Sequence, residues 1–559
     1  MQTVVNLLYQ HYQSVHHKTA ITLQHAGQPD VPISYGRLID QSARYAELLQ
    51  QAQIRPGEVV LLILPHGVDL VFSFWGTILA GSIPSIMPFL TEKLLPERYR
   101  ADLASLISVT KPAAIITYPD FEEEVRMALR EGDSVRSVLT PNTLPSDRTG
   151  VDFSVLDGMR RMAEDIVLLQ HSSGTTGLQK GVALSHQAVL NQLESYSHAI
   201  HLKQDDVVVS WLPLYHDMGL IAGFLMPILS ATHLVLMSPF DWVKAPQRLM
   251  NAVSSYRGTL VWLPNFAYNF CATRIRDRDM VGIDLSSLRA VINCSEPMRY
   301  ESHQLFLDRF KTYGLSSSAL ATCYAMAENV FGVTQGGIDS PVWVDDVDRD
   351  DLQIRGIASP AKNENAVIHM VSAGKPIPGV EVKVIDSRGK QLPDRRVGEL
   401  ALRSNCMLTG YYHRPDLTKK AFLDGWYLTG DLGYMVNGEV FVSGRKKDMI
   451  IVGGRNIYPQ DLEMLAGSVR GVHPGRMVAF GVFDENLGTE APVVIVEVDT
   501  QDPVEITRIE DEVRQTVTRS SAVALRRVQA VPLRWLIKTS SGKIARSANR
   551  EKYLREFES

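Results

Sequence analysis

Four short runs of this chain are almost wholly apolar: Val59–Leu64 (VVLLIL), Ala113–Thr117 (AAIIT), Ile166–Leu169 (IVLL) and His233–Met237 (HLVLM). A strand with one wet face alternates apolar and polar side chains, so strands that are apolar throughout must be covered on both faces. Segments such as Arg37–Ala52 and Gln187–Ala199 carry helical spacing and supply that cover. The alternation predicts an α/β fold of layered, largely parallel sheets. At 559 residues the chain exceeds what one core supports, so two or more domains are expected.

From Leu70 to Thr91 there is no charge, which is long enough to span a bilayer. Gly76, Gly81, Pro84 and Pro88 interrupt it, and lipid-facing backbone would not tolerate them. A buried helix ending near Gly81, followed by a short strand, is predicted instead. From Val380 the texture changes to strands and polar turns, including the hairpin pattern VNGEVFVSG. This predicts a large N-terminal domain of two layered α/β subdomains over residues 1–446, with a β-rich subdomain at about 380–440. A small mobile α+β domain is expected over 447–559, the boundary falling in the charged turn Gly444–Asp448 (GRKKD).

The net charge of −5, without a polybasic arm, argues against a general nucleic-acid binder. Cys271, Cys294, Cys323 and Cys406 form no CxxC pair and have no histidine at zinc spacing. They read as buried hydrophobes in a reducing compartment. The N-terminal MQTVVNLLYQ lacks signal-peptide features, and a cytoplasmic protein is expected.

The stretch His171–Lys180 (HSSGTTGLQK) concentrates small residues around one cation. Ser172, Ser173, Thr175 and Thr176 offer hydroxyl donors, Gly174 and Gly177 allow positive φ, and Lys180 adds a point charge. Placed between an apolar run and a helix beginning near Ser185, the loop has the strand–loop–helix order that aims backbone N–H groups at phosphate. It is not a GxxxxGK[ST] loop, and alone it would be an ordinary turn.

With further motifs in order, the chain resembles the adenylate-forming superfamily of acyl-CoA synthetases, peptide-synthetase adenylation domains and luciferases. These motifs are CYAMAEN (Cys323–Asn329), GKPIPG (Gly374–Gly379), YLTGDLG (Tyr427–Gly433), GRKKDMIIVGGRNIYP (Gly444–Pro459) and KTSSGKIAR (Lys538–Arg546). The resemblance implies that the opening loop clamps the triphosphate of ATP. It also implies that Glu328, with Thr175, holds Mg²⁺, a hard cation that bridges phosphates. Tyr324, Ala325 and Met326, together with Ser295, Glu296 and Pro297, would surround adenine, while Asp431 and Arg445 would hold the ribose. Lys543 would neutralise charge growing as a carboxylate attacks the α-phosphorus. Lys447 matches the family's hinge. The segment Val513–Arg550 holds nine basic residues and no Asp or Glu, which suggests a surface meeting ATP or an acidic carrier.

WLPLYHDMGL (Trp211–Leu220), SPFDWVKAPQRLM and LPNFAYNFC are similar to the fatty acyl-AMP ligase branch, and His216 would stand near the carboxylate and later the thiol. Pro341–Ala373 resembles that branch's extra segment, associated there with loss of CoA use; a plain acidic surface loop is the alternative. The implied activity is ATP-dependent conversion of a medium- or long-chain acid to acyl-AMP, then transfer to the phosphopantetheine of an acyl carrier protein on a separate chain. An acyl-CoA ligase, an aryl- or amino-acid-adenylating enzyme and a non-catalytic nucleotide-binding scaffold are the alternatives. Gly453, Ile457 and Ala325 depart from the branch's usual residues, as do Trp262 and Leu263, whose bulk would shorten the accepted acyl chain.

Overall fold

A computed structural model describes residues 2–89, 96–147, 149–172, 180–362, 366–452, 455–485, 489–521, 523–539 and 543–558. Two large sheets carry the apolar runs. The first orders seven strands as Gly410–Tyr411, Lys180–Ser185, Ile166–Ser172, Ile83–Ile86, Val59–Ile63, Ala114–Thr117 and Ser137–Leu139. From Ile166–Ser172 to Ser137–Leu139 every pairing is parallel. The second sheet has nine strands, its parallel centre running from Leu320–Ala325 through Ala290–Cys294, Leu260–Leu263, Val207–Ser210 and His233–Met237 to Thr19–Gln24. Antiparallel strands close both of its edges.

The uncharged run from Leu70 forms the helix Val68–Leu79 and the strand Ile83–Ile86. Among the described residues no helix is long and apolar enough to cross a membrane. Helix Val68–Leu79 lies tight against helix Tyr35–Gln51, because a Cβ at Gly76 would sit 2.4 Å from the Ser42 carbonyl oxygen and 2.5 Å from Tyr45 Cβ. All four cysteines are free and buried.

Strands Val380–Ile385, Gly398–Ser404, Trp426–Val436 and Glu439–Arg445 form an antiparallel sheet. The hairpin turn is Asn437–Gly438, both at positive φ, the geometry that Asn-Gly favours. Pro341–Ala373 is not a loose acidic loop. Val344–Asp348 pairs antiparallel with Val367–Val371, and Val347, Leu352 and Ala358 pack on Tyr434, Val436 and Phe441.

Beyond the charged turn, strands Val472–Asp484, Thr489–Val498 and Arg527–Pro532 carry helices Pro459–Gly467, Pro503–Ser521 and Arg546–Phe557. Among the described residues, the buried clusters built from 450–553 share no member with those built from 4–441. Contacts across this divide include Arg299–Asp461 at 3.1 Å, Arg349 to the Ser520 carbonyl at 2.8 Å, and Arg455 to Gln353 at 3.4 Å.

Candidate active site

The hydroxyl-rich loop is mounted differently from the expectation. Ile166–Ser172 does not pass through it into a helix; a second strand, Lys180–Ser185, returns antiparallel with Ser172 opposite Lys180. The helix begins only at His186, where Ser185 Oγ accepts the Ala188 N–H. The strands on either side of the loop therefore pair with each other, and strand Lys180–Ser185 stands between the loop and the helix N-terminus. The continuous buried apolar run Val182–Leu184 makes strand formation favourable, a short signal beside the longer helix-like stretch behind it. Ser173, Gly174, Thr175, Thr176 and Gly177 lie outside the described residues, and of Ser172 only the backbone pairing is described.

Lys180, at the far root of that loop, stands with its Nζ 4.8 Å from the ring centroid of Tyr411. Tyr411 comes from a short strand paired to the same hairpin, Gly410 facing Ala183. Its hydroxyl donates to Glu328 Oε1 at 2.9 Å and lies 3.0 Å from the Tyr427 hydroxyl. Burial raises the Glu328 pKa; the Tyr411 hydroxyl opposes this, nearby Asp217 adds to it, and Lys180 opposes it. Burial thus disfavours the ionised carboxylate, a cost that neighbouring positive charge offsets. Tyr411 is a site member that sequence reasoning missed; the adjacent aromatics in GYYHRP were its only signal.

Strain also marks the backbone here. Two residues beyond Glu328, Val330 has φ 61° and ψ −54°, and the Phe331 N–H bonds back to the Asn329 carbonyl at 2.6 Å. Such a γ-turn at a β-branched residue costs of order 1–3 kcal/mol. Complete burial of Val330 and the bond from Asn329 Nδ2 to the Gly332 carbonyl hold it in place. The turn returns the chain from the 3-10 helix Ala327–Asn329, which carries Glu328, into strand Gly332–Gly336. Met326 takes part through its N–H to the Phe331 carbonyl, and Ala325 pairs with Gly332 across a register shift.

Asp431 and Arg445 are cross-strand partners in the antiparallel sheet, their side chains 3.3 Å apart. The other Asp431 oxygen accepts the Tyr324 hydroxyl at 2.6 Å. Burial, and then Asp431 beside it, keep that phenol protonated. Tyr324, Asp431 and Arg445 therefore form one unit linking the nine-stranded sheet to the antiparallel one.

Ser295 adopts φ 69°, unusual for a residue with a Cβ, immediately after strand Ala290–Cys294. The turn exposes its carbonyl, which accepts Lys543 Nζ at 2.8 Å from the C-terminal core. Glu296 Oε2 accepts the Phe266 N–H at 2.9 Å, while Pro297 is exposed. Behind them Asn265, Asn293, Ser302 and His303 form a buried hydrogen-bonded network, anchoring the turn through the Arg299 N–H.

Lys543 also reaches the Trp211–Leu220 segment electrostatically. Burial first, and the Lys543 ammonium second, push His216 down to about 3, so its ring is neutral at physiological pH. Its Nε2 is buried without a hydrogen-bond partner among the described residues. Asp217 is shifted upward by burial, with Lys543 and the Met218 N–H opposing. It leads into a π-helical turn, Met218–Leu225, an element often found beside functional residues. Trp262 is fully buried and gives its indole N–H to the Tyr196 hydroxyl at 2.9 Å.

The basic segment is not one anion-facing surface. Arg546 pairs with Asp448 and Glu463, Arg526 with Asp484 and Glu558, and Arg514 and Arg550 bond backbone carbonyls of their own domain. At least four of the nine basic residues are thus engaged within the C-terminal core, while Lys543 extends from it.

A family model described as AMP-binding enzyme matches residues 9–412. The medium-chain-fatty-acid–[acyl-carrier-protein] ligase JamA of Moorena producens is 30% identical over 582 residues, spanning 99% of this chain and 95% of its own. The long-chain-fatty-acid–AMP ligase FadD26 of Mycobacterium marinum is 29% identical over 525 residues, 89% of this chain and 87% of its own. A solved structure from work on fatty acyl-adenylate ligases of E. coli and L. pneumophila aligns with TM-score 0.90 and 27% identity, covering 100% of this chain and 98% of its own.

Proposed function

The chain belongs to the AMP-binding enzyme family, and from that premise we propose that it activates a medium- or long-chain fatty acid as its acyl adenylate and passes the acyl group to the phosphopantetheine thiol of an acyl carrier protein. The observation carrying this reading is the meeting of Lys543, from the C-terminal core, with the Ser295 turn beside His216 and Asp217. Glu328 and Lys180 approach from one side, and Asp431 with Arg445 from another. Such a set suits a nucleotide triphosphate and a carboxylate brought together.

In the first step a carboxylate oxygen bonds to the α-phosphorus of ATP and pyrophosphate leaves. Lys543 neutralises the charge gathering on the α-phosphate, Lys180 and the hydroxyl-rich loop hold the β- and γ-phosphates, and Asp431 accepts the ribose hydroxyls. Glu328 offers a hard oxygen beside those phosphates, the donor that Mg²⁺ requires, with Thr175 as its partner from the loop. The cation, when bound, disperses phosphate charge. His216 is uncharged, so it can border the acid without trapping it in an ion pair. In the second step a thiolate attacks the acyl carbonyl and AMP departs. The small domain, placed from residue 447, would reorient about Lys447 between the steps.

Relatives named for fatty acids support the acid class. The folded segment Pro341–Ala373, tied to the C-terminal core through Arg349 and Arg455, supports the carrier as acceptor. Incubation of acid and ATP with either CoA or holo-carrier protein tests this; acyl-CoA at full turnover would overturn the carrier assignment. Lys543→Ala should slow acid-dependent pyrophosphate release by about a hundredfold or more, with ATP affinity within a few-fold.

A further inference from the structure

The reading of Lys543 leaves open what holds its loop in register. The two arms of the loop are paired: Lys538 bridges Ile544, the Thr539 N–H bonds the Lys543 carbonyl at 2.8 Å, and the Ala545 N–H bonds the Ile537 carbonyl at 3.0 Å. Backbone pairing alone permits slippage by a residue, and a slip would withdraw the ammonium from the Ser295 carbonyl. Something outside the loop must select the register.

We infer that Asn549 is the positioning residue for Lys543. Asn549 lies in the first turn of helix Arg546–Phe557 and its side chain is fully buried. Its Oδ1 accepts the Ile537 N–H at 2.8 Å, while its Nδ2 donates to the Ile537 carbonyl at 2.8 Å and the Ala545 carbonyl at 2.9 Å. One amide group therefore grips both arms. The bonding pattern also fixes its orientation, since swapping oxygen and nitrogen would face acceptor to acceptor.

Neighbouring groups complete the foundation. The Leu536 N–H bonds Glu497 Oε1 at 2.7 Å, and Glu497 is fully buried. On the other arm Arg546 is held by Asp448 at 3.0 Å and Glu463 at 2.7 Å. These side chains fix each arm separately; Asn549 is a side chain that reaches both, adding to the backbone pairing. A residue acting this way touches no substrate, so its removal affects chemistry through the placement of Lys543.

The inference rests on the reading of Lys543 as the cation of the adenylation step, and a double-mutant cycle separates the two. Pyrophosphate release is measured with the saturated fatty acid that the wild type turns over fastest. For Asn549→Ala, kcat should fall tenfold or more while KM for ATP stays within twofold. In a Lys543→Ala background the same change should cost no more than a further twofold, because the two residues serve one function. Asn549→Gln, which keeps the amide's donors and acceptor but displaces them by one methylene, should fall between wild type and Asn549→Ala and provides the readout if the alanine variant fails to fold. Wild-type kcat in both Asn549 variants, or a further tenfold loss on top of Lys543→Ala, would overturn the inference. Lys543→Ala with undiminished turnover would instead sink the reading of Lys543 itself.

Discussion

At the scale of single residues, the site is organised by polar side chains that satisfy each other before any substrate arrives. Asp431 spends one oxygen on the Tyr324 hydroxyl and the other on Arg445. On the proposed reading, a ribose would share a carboxylate already oriented, which favours a defined pose over high flexibility. Replacing Asp431 with Ala removes an anion that two groups face, and hydrogen bonds to charged groups contribute about 1.5–3 kcal/mol. ATP affinity measured by calorimetry should drop roughly tenfold to a hundredfold, the factor those energies imply. Unchanged affinity would show that the trio serves only to join the sheets. Glu328, Asp431, Arg445 and Lys543 were all legible as motif residues. Asp217 was legible as part of the Trp211–Leu220 motif; Tyr411 was not, because its partner Glu328 is remote in sequence, and Asn549 was not, because one amide in a polar helix leaves no pattern.

At the scale of elements, tight backbone approaches place the motifs. Gly374 opens the GKPIPG segment at φ 91°, and a Cβ there would lie 2.0–2.2 Å from the Gln335 and Gly336 backbone. Backbone cannot swing aside as a side chain can, so Gly374→Ala should destabilise the fold by about 3 kcal/mol or more. A lowered urea midpoint measures this; a midpoint within error of wild type would contradict the packing. The short apolar strands and the Asn437–Gly438 hairpin followed from pattern because their periodicity is local. The hairpin flanking the hydroxyl-rich loop did not, since a short apolar run directly before a helix does not show which strand it pairs with. The fold of Pro341–Ala373 was equally hidden: its core is completed by Tyr434 and Phe441, far along the chain.

At the scale of the whole molecule, buried histidines set the acid limit of stability. His66, His171, His186 and His303 are each pushed down to about 4, and His216 to about 3, by burial first in every case. Between pH 6.5 and 4 the unfolded chain takes up protons that these folded sites refuse. Stability is therefore full above about pH 6.5 and declines as pH falls toward the folded values, each histidine accounting for up to roughly 3 kcal/mol. The urea midpoint should fall steadily from pH 6.5 to pH 5. A flat or rising midpoint over that window would mean these rings are protonated in the folded state.

The residues of this chain determine, by themselves, where apolar strands and helices form and which motifs carry phosphate chemistry, because both depend on neighbours within one turn or one strand. Tertiary structure alone decides what those motifs face. That Lys543 lands on Ser295 results from packing separate cores together, whereas Glu328 meets Tyr411 and Arg546 meets Asp448 through long-range folding within one part of the chain. Electrostatic environment and register depend on distance through space, which the order of residues along the chain does not record.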